Sequence, residues 1–449
     1  MKFIYAWSVI IGGERKHVRV DGVMGAVKEP IDVFIERQQK EPEELAKERL
    51  DIIVKSVELK VPMRVPISGV GGDVVAHFCG ITWYDWCYDL QKAKSIINFV
   101  KEYPQDFRSA SAPYGLEGFI FSLAFADFPE ISNSLRFLTG PLHDLFKDKW
   151  TKWPGRELDK DMHPQFIGGE FMKQDEYKQL IDDPVKFINE VILPRVCLGL
   201  GTPGSSKWNG TLIRVGQTIE RNSGLLAPIL QEISNLGYPP ILMTPSYTPA
   251  DFIGDFLRYP TGAMLDMRSK PEDFKAACEA LVEPILKVAE AVPPAPPLTF
   301  SFIPCHLNEM LSPKLYREFY WPTQKRVILE LVKKGYKMFI FYEGDHTPHI
   351  DTLLELPKGW GVAYFEKARN FVKDVWEKLK GHTCVMGGLP TNLLIGGTPE
   401  KIDEYVKNLL RQTRSEGGFI ISPGVSELPK ETPLQNIRAY INAALKYGR

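Results

Sequence analysis

Short apolar runs alternate with amphipathic segments along the last third of the chain. The runs predict five strands, at Leu298–Ile303, Tyr336–Tyr342, Gly361–Phe365, Thr383–Met386 and Gly418–Ile421. Segments with helical spacing of apolar residues lie between them, and a last helix is predicted at Leu434–Tyr447. Because each crossover helix returns the chain to the same end of the sheet, such strands pair in parallel. Five units in succession therefore predict a barrel or a doubly wound sheet.

The choice between these two folds depends on the turns that follow the strands. No strand is followed by a G-x-G-x-x-G turn, which disfavours a dinucleotide-binding sheet. We predict an α/β fold, a (β/α)8 TIM barrel with an N-terminal extension and inserted helices. Residues 1–60 are predicted to form the extension, a strand followed by helices, and residues 61–449 the barrel. The segment Trp150–Gly169, rich in Pro and Gly, is predicted to be a long connection or a lid.

Composition narrows the class of protein. The chain has 449 residues, 44% of them apolar and 25% charged, with a formal net charge of −1. A near-neutral balance disfavours nucleic acid as a partner, and no apolar stretch is long enough to span a membrane. The six cysteines lack a disulfide spacing, which indicates free thiols in a reducing compartment, and we expect a cytoplasmic protein. The apolar run Met1–Ile11 is read as a strand, not as a signal peptide.

Candidate chemistry lies just after the predicted strands, because α/β barrels place reactive groups at the C-terminal strand ends. Glu343 ends an apolar strand there, and a partly desolvated carboxylate with a raised pKa suits a general acid or base. His306 has four interpretations: a metal ligand, a proton-transfer group, a substrate-carboxylate contact, or a histidine satisfied by backbone groups. We predict Glu343 and His306 as catalytic.

Further candidates surround these two. His346 is predicted to contact substrate, with simple exposure as the alternative, and Glu343, His306 and His346 would be the ligands if a metal were present. Upstream, Asp266, Arg258 and Arg268 belong to a dense acid–base cluster that could hold a carboxylate or phosphate. A structural salt-bridge network is the alternative for that cluster.

Five groups of motifs occur between residues 240 and 449. They are Asp255–Arg258 with Gly262–Met267, Leu311–Pro313 with Glu318–Pro322, Tyr342–Gly344, Gly387–Pro390 with Gly397–Glu400, and Gly417–Ile421. Together they resemble the uroporphyrinogen decarboxylase superfamily. The resemblance implies a (β/α)8 barrel, in agreement with the strand spacing, and a homodimer would be common in that superfamily.

The resemblance implies two activities, and the chain departs from the motifs of both. One branch decarboxylates uroporphyrinogen without a cofactor and carries an R-Q-A-G-R type segment. The most similar segment here, Glu36–Lys40, lacks the glycine and the second arginine. The other branch consists of zinc-dependent methyltransferases that act with a corrinoid protein and carry H-x-C-G. Phe341 and Glu343 occupy the positions of the histidine and the first cysteine of that motif, and Pro390 occupies the position of the later ligand cysteine. Zinc is therefore not expected unless Glu343, His306 and His346 form another site.

These departures suggest a third group within the superfamily. The leading hypothesis is methyl transfer with a corrinoid held by a partner protein, in which Glu343 handles a proton or a metal. The first alternative is cofactor-independent decarboxylation, in which Asp266 or Glu343 steadies a protonated ring. The second is a tetrapyrrole- or corrinoid-binding protein without catalysis. The partner would be a corrinoid protein or a small-molecule substrate.

Overall fold

The computed structural model of the protein describes residues 6–11, 14–19, 28–107, 114–425 and 427–449. Its strands are β1 Ala6–Ile11, β2 Glu14–Arg19, β3 Gly115–Glu117, β4 Phe137–Thr139, β5 Thr151–Lys152, β6 Gln165–Phe166, β7 Leu242–Pro245, β8 Thr299–Cys305, β9 Lys337–Asp345, β10 Gly361–Lys367, β11 Cys384–Leu389 and β12 Phe419–Pro423.

The helices fall into long and short groups. The longer α-helices are Pro30–Lys40, Pro42–Val57, Ser206–Ser234, Tyr259–Ser269, Pro271–Ala289, Trp321–Lys333, Pro399–Thr413 and Leu434–Tyr447. The shorter ones are Asp73–Cys79, Trp83–Tyr88, Leu90–Ala93, Ile96–Glu102, Phe119–Ala124, Pro129–Ser134, Gly140–Phe146, Tyr177–Asp182, Pro184–Phe187, Leu193–Val196, Pro249–Phe252, Pro313–Leu315, Glu377–Leu379 and Thr391–Gly396. Segments of 3-10 or π geometry are Gln174–Glu176, Ile188–Ile192, Ile253–Leu257, Leu307–Met310, Tyr316–Tyr320, Thr347–Glu355 and Val372–Trp376.

Strands β7 to β12 form one parallel sheet in chain order. Two further segments, around Ile67 and around Asp106, lie beyond β12. Ile67 lies parallel to Ile421 of β12, and the Asp106 amide donates a hydrogen bond to the Ile67 carbonyl at 2.8 Å. The ring of Phe107 then lies 6.4 Å from that of Phe300 on β8 and 6.3 Å from that of Phe339 on β9, centroid to centroid. The two ends of the sheet therefore share one interior, which is the geometry of a closed barrel.

Side chains fill this interior, as in other (β/α)8 barrels. One buried cluster holds Phe300, Phe339, Val362, Tyr364, Met386 and Ile420. Ile52, Ile53 and Val57 of the helix Pro42–Val57 join it, so this helix shares a core with the strands. The boundary at residue 60 stays a prediction.

The five predicted strands are confirmed, and each continues two or three residues further than its apolar run. The strands continue because the hydrogen bonds between them are made by the backbone, so polar residues such as Asp345 and Ser422 still pair. β7 escaped the sequence analysis because it has only four residues, two of them exposed. The apolar spacing of residues 114–148 predicts helix, and this prediction is wrong in part, since β3 and β4 form an antiparallel pair within the segment.

Two further predictions are confirmed. The run at the N-terminus contains a strand, β1, and all six cysteines are free thiols. Within the described ranges, no helix combines the length and apolar character that crossing a membrane requires.

Candidate functional site

Alternation along the strands decides which residues face the barrel mouth. Phe300 of β8 and Phe339 of β9 point into the interior. Because side chains alternate along a strand, Phe302 and Phe341, two residues further on, point the same way, and His306 and Glu343 follow at the upper end. Phe302 and Phe341 are both partly buried members of the interior cluster. The mouth therefore has an aromatic floor, Phe302 and Phe341, beneath its polar groups.

Asp255, His306 and Glu343 form a line of polar contacts across this mouth, which we call the relay. His306 Nδ1 lies 2.6 Å from Asp255 Oδ2, and His306 Nε2 lies 3.4 Å from Glu343 Oε1. The Tyr247 hydroxyl donates to Asp255 Oδ2 at 2.8 Å. Exposure rises along the line, from 8% for the Asp255 side chain to 25% for His306 and 44% for Glu343. The relay thus connects a buried carboxylate to solvent.

The relay holds His306 in its charged form. Burial lowers the pKa of His306, but the negative charges of Asp255 and Glu343 and the hydrogen bonds to them outweigh it and raise this pKa well above 6.5. With both ring nitrogens protonated, Nδ1–H donates to Asp255 and Nε2–H faces Glu343. Glu343 is only partly desolvated, as its exposure shows. The two residues predicted as catalytic are therefore adjacent, and His306 carries an N–H on each ring nitrogen.

A second buried carboxylate, Asp251, fixes the backbone beside His306. It accepts hydrogen bonds from the Leu307 amide at 2.8 Å and from the Tyr320 hydroxyl at 2.5 Å. Burial, followed by the charge of Asp255, raises the pKa of Asp251 to about 7. The segment after β8 is therefore held by a group that is half protonated near neutral pH.

Asp266 and Arg258 lie in a closed network away from the relay. Asp266 is fully buried and accepts from Arg258 Nε at 2.6 Å, the Tyr177 hydroxyl at 3.0 Å and Gln174 Nε2 at 2.8 Å. Arg258 also bonds Glu170 at 2.5 Å. These contacts match the structural alternative for the cluster, because they leave Asp266 no free acceptor. Arg268 is exposed on the helix Tyr259–Ser269 and joins neither group.

His346 does not reach the mouth, which corrects its expected place beside Glu343. It is fully buried and stacks on Tyr342, with ring centroids 3.9 Å apart. Tyr342 alternates with Phe341 and faces outward, so His346 packs behind the strand. Burial, with a contribution from the neighbouring His349, keeps the pKa of His346 well below 6.5. The His346 ring is therefore a neutral part of the core.

The ligand set proposed for a metal is consequently not assembled. Glu343 and His306 are adjacent, but His346 lies on the other side of β9. Among the residues that the structure describes, no three His, Cys, Asp or Glu side chains converge as a metal would require. These side chains do not fit the zinc site of the corrinoid-dependent branch.

Sequence reasoning missed the opposite wall of the mouth. Arg136 lies with its guanidinium carbon 5.8 Å from the Phe302 ring centroid and forms an ion pair with Glu117. Phe119 stacks on Tyr247 at 5.0 Å and links this wall to the relay. These residues precede the regular strand–helix pattern, so periodicity could not place them. Asp255 begins the motif Asp255–Arg258, but no pattern in the sequence places it beside His306.

The segment Trp150–Gly169 is attached to the rim of the mouth. His163 Nε2 lies 3.0 Å from Glu427 Oε2, and the His163 ring packs on Trp83 with centroids 4.2 Å apart. Glu427 follows β12 and bridges Gly71, which follows the extended segment at Ile67. The contact therefore lies at the C-terminal strand ends.

An open cleft of about 920 Å³ adjoins the mouth. It begins at Glu366, directly after Tyr364 and Phe365 of β10, and extends along the helix Pro399–Thr413. Its lining includes four side-chain amides, those of Asn370, Asn392, Asn408 and Gln412. The cleft can therefore offer both donors and acceptors to an amide-bearing ligand.

Comparison with known proteins shows what the C-terminal part of the chain is similar to. Residues 249–447 match the family model described as uroporphyrinogen decarboxylase (URO-D). Among solved structures, a methyltransferase from Methanosarcina mazei is similar over 90% of this chain and 98% of its own, with a TM-score of 0.55 and 14% identity. A likeness at that identity concerns the fold alone. We found no match among curated protein sequences. Residues 249–447, a little less than half of the chain, are therefore similar to the uroporphyrinogen decarboxylase family, and the fold is a (β/α)8 barrel.

Proposed function

We propose that the protein is a methyltransferase that moves a methyl group between a small molecule and a corrinoid carried by a partner protein. The observation that carries the proposal is the relay, in which a charged His306 stands between a buried and an exposed carboxylate at the barrel mouth. The members of the superfamily, decarboxylases and methyltransferases, are enzymes.

The charge of the mouth favours methyl transfer over porphyrin decarboxylation. Around the relay its described charged side chains are the carboxylates of Asp255, Glu343, Glu366 and Glu117 and the cations of His306 and Arg136. The adjoining cleft adds Lys367 and Arg369, and Lys367 is paired with Glu309. Arg258, the other candidate cation, is closed by Asp266. A substrate with eight carboxylates needs several free cations, and a net acidic mouth would repel it.

His306 supplies the proton that methyl loss requires. When a methyl group leaves without an electron pair, the pair of the broken bond stays on the donor heteroatom. The Nε2–H of His306 can then protonate that atom, while Asp255 keeps the ring oriented through Nδ1. Glu343, partly exposed, returns a proton from solvent to Nε2.

The corrinoid would lie over the mouth and the adjoining cleft. A corrin ring carries amide side chains on its rim, and the cleft offers the amides of Asn392, Asn408 and Gln412 beside Glu366. When bound, the corrinoid would supply the centre that accepts or donates the methyl group.

The test follows the absorbance of cob(I)alamin as it converts to methylcobalamin, with purified protein and O-, N- and S-methyl donors. We expect conversion with at least one donor class. His306→Gln should slow it roughly 10²–10⁴-fold, the usual contribution of a positioned acid. Glu272→Gln, 85% exposed on the outer helix Pro271–Ala289, is the matched control and should leave the rate unchanged.

Three outcomes would overturn the proposal. They are coproporphyrinogen formation from uroporphyrinogen at enzymatic rates, an unchanged rate in His306→Gln, and tight cobalamin binding without transfer from any donor class. The last outcome would instead identify a binding protein.

A further inference from the structure

The floor of the mouth is aromatic where it meets the polar groups. Phe302 and Phe341 are partly exposed, and Phe341 packs on Tyr364 with ring centroids 4.6 Å apart. A barrel that only needed a filled core could close this layer with aliphatic side chains. Open aromatic faces instead present negative π-electron density to whatever occupies the mouth.

Two carboxylates stand above this floor without a Lys or Arg partner. Glu343 Oε1 lies 3.4 Å from His306 Nε2, and Glu366 accepts a hydrogen bond from the Gly344 amide at 2.6 Å. No lysine or arginine of the described ranges forms an ion pair with either carboxylate. A cation that rests on an aromatic face beside carboxylates is attracted by both.

The opposite wall has an unused donor. The Arg136 side chain is 8% exposed, its Nη1 pairs with Glu117, and its Nη2 has no hydrogen-bond partner among the described residues. Its guanidinium lies 5.8 Å from the Phe302 ring centroid. A buried guanidinium N–H without an acceptor is unfavourable, so this wall calls for an acceptor oxygen.

We infer that the mouth binds a small zwitterion, with its cationic nitrogen over Phe341 beside Glu343 and Glu366 and its carboxylate toward Arg136. Phe302 and Phe341 are diagonal neighbours on the adjacent strands β8 and β9, since Phe302 pairs with Phe339 and Phe341 with Pro304, and Arg136 lies beside Phe302. The two charges therefore belong to one small molecule that spans this floor. N-methylated amino acids have this chemistry. The further statement that such a ligand is the methyl donor rests on the proposed function. Loss of its methyl group would leave the electron pair on nitrogen, and His306 would then protonate the amine.

The inference is tested by calorimetric titration of the protein alone, without corrinoid, using three matched probes. Trimethylglycine carries both charges, 3,3-dimethylbutanoate is its isostere without the cation, and tetramethylammonium lacks the carboxylate. We expect trimethylglycine to bind roughly tenfold more tightly than either of the others.

Variants assign the two ends of the ligand. Phe341→Leu and Glu343→Gln should each weaken trimethylglycine severalfold and leave 3,3-dimethylbutanoate unchanged. Arg136→Met should weaken the binding of trimethylglycine and of 3,3-dimethylbutanoate, which both carry a carboxylate, and leave the binding of tetramethylammonium unchanged. Because Arg136 is buried, its variant counts only if its melting temperature is close to that of the wild type. The probe comparison on the wild-type protein decides the matter independently.

Equal affinity for trimethylglycine and 3,3-dimethylbutanoate would overturn the inference, and so would no binding of trimethylglycine at millimolar concentration. Zwitterion binding without methyl transfer would refute the proposed function alone. Methyl transfer from neutral donors, without zwitterion binding, would refute only this inference.

Discussion

Asp266→Asn should destabilise the protein without affecting its chemistry. Asp266 is fully buried and receives hydrogen bonds from Arg258, Tyr177 and Gln174. The amide has one acceptor oxygen where the carboxylate has two, and it removes the charge that balances Arg258. Glu170 would remain as the other ion-pair partner of Arg258, but its side chain is 61% exposed.

The magnitude follows from the burial of the pair. Removing one partner of a buried ion pair costs about 3–5 kcal/mol, and the remaining contact to Glu170 places the loss near the lower value. An unfolding entropy of about 2.1 cal/mol/K per residue gives roughly 0.9 kcal/mol/K for 449 residues. The melting temperature should therefore fall by about 3 °C in a single cooperative transition.

Calorimetric melting measures this change, with Glu272→Gln as an exposed control that should not alter the melting temperature. The double variant Arg258→Met with Asp266→Leu should regain stability relative to Asp266→Asn, because no charge is then left unpaired. A shift below 1 °C in Asp266→Asn, combined with loss of ligand binding, would refute the structural role and restore Asp266 as a substrate contact.

Three further predictions concern titration and backbone geometry. Asp251→Asn should gain stability relative to the wild type as pH rises from about 4 to 7. In that range the folded wild type binds a proton at Asp251 that its unfolded chain does not, so the wild type loses stability as pH rises. A melting-temperature difference that is the same at pH 5 and pH 8 would contradict this. His346→Phe should reduce the loss of stability on acidification below about pH 6.5, where the unfolded chain gains a proton that the buried neutral ring does not, and urea midpoints at pH 7 and pH 5 measure the effect. Gly344→Ala, at φ 66° and with its new Cβ only 2.7 Å from the Glu309 Cβ, should lose more than the roughly 1–2 kcal/mol of left-handed strain, and trimethylglycine binding should weaken with it. Gly381→Ala has the same strain, at φ 70°, without a contact, so equal effects of the two alanines would argue against a clash at Gly344.

The sequence predicted the half of the fold in which local patterns are regular. From residue 298 onward, strands alternate with helical segments along the chain, so hydrophobic periodicity locates both. Before that residue most elements are short, and aromatic residues such as Trp83 and Trp86 stack on one another. Their apolar residues do not recur at one helical or strand spacing. The pair β3 and β4 was therefore read as helix.

The candidate site divides in the same way. Glu343 and His306 were found because the strand-end rule needs only the position of a residue after an apolar run. His346 satisfies the same rule and fails, because it stands just before the 3-10 segment Thr347–Glu355 with its ring stacked on Tyr342, behind the strand. No local pattern encodes that direction.

The sequence by itself therefore determined the order of the parallel strands and the two polar residues at their ends, because both depend on contacts between neighbours along the chain. Only the tertiary structure decided that Asp255 charges His306, that Asp266 closes Arg258, and that Arg136 faces the aromatic floor. Those pairings join residues from different elements, and their energies depend on burial and distance, which a closed barrel creates only when its two ends meet.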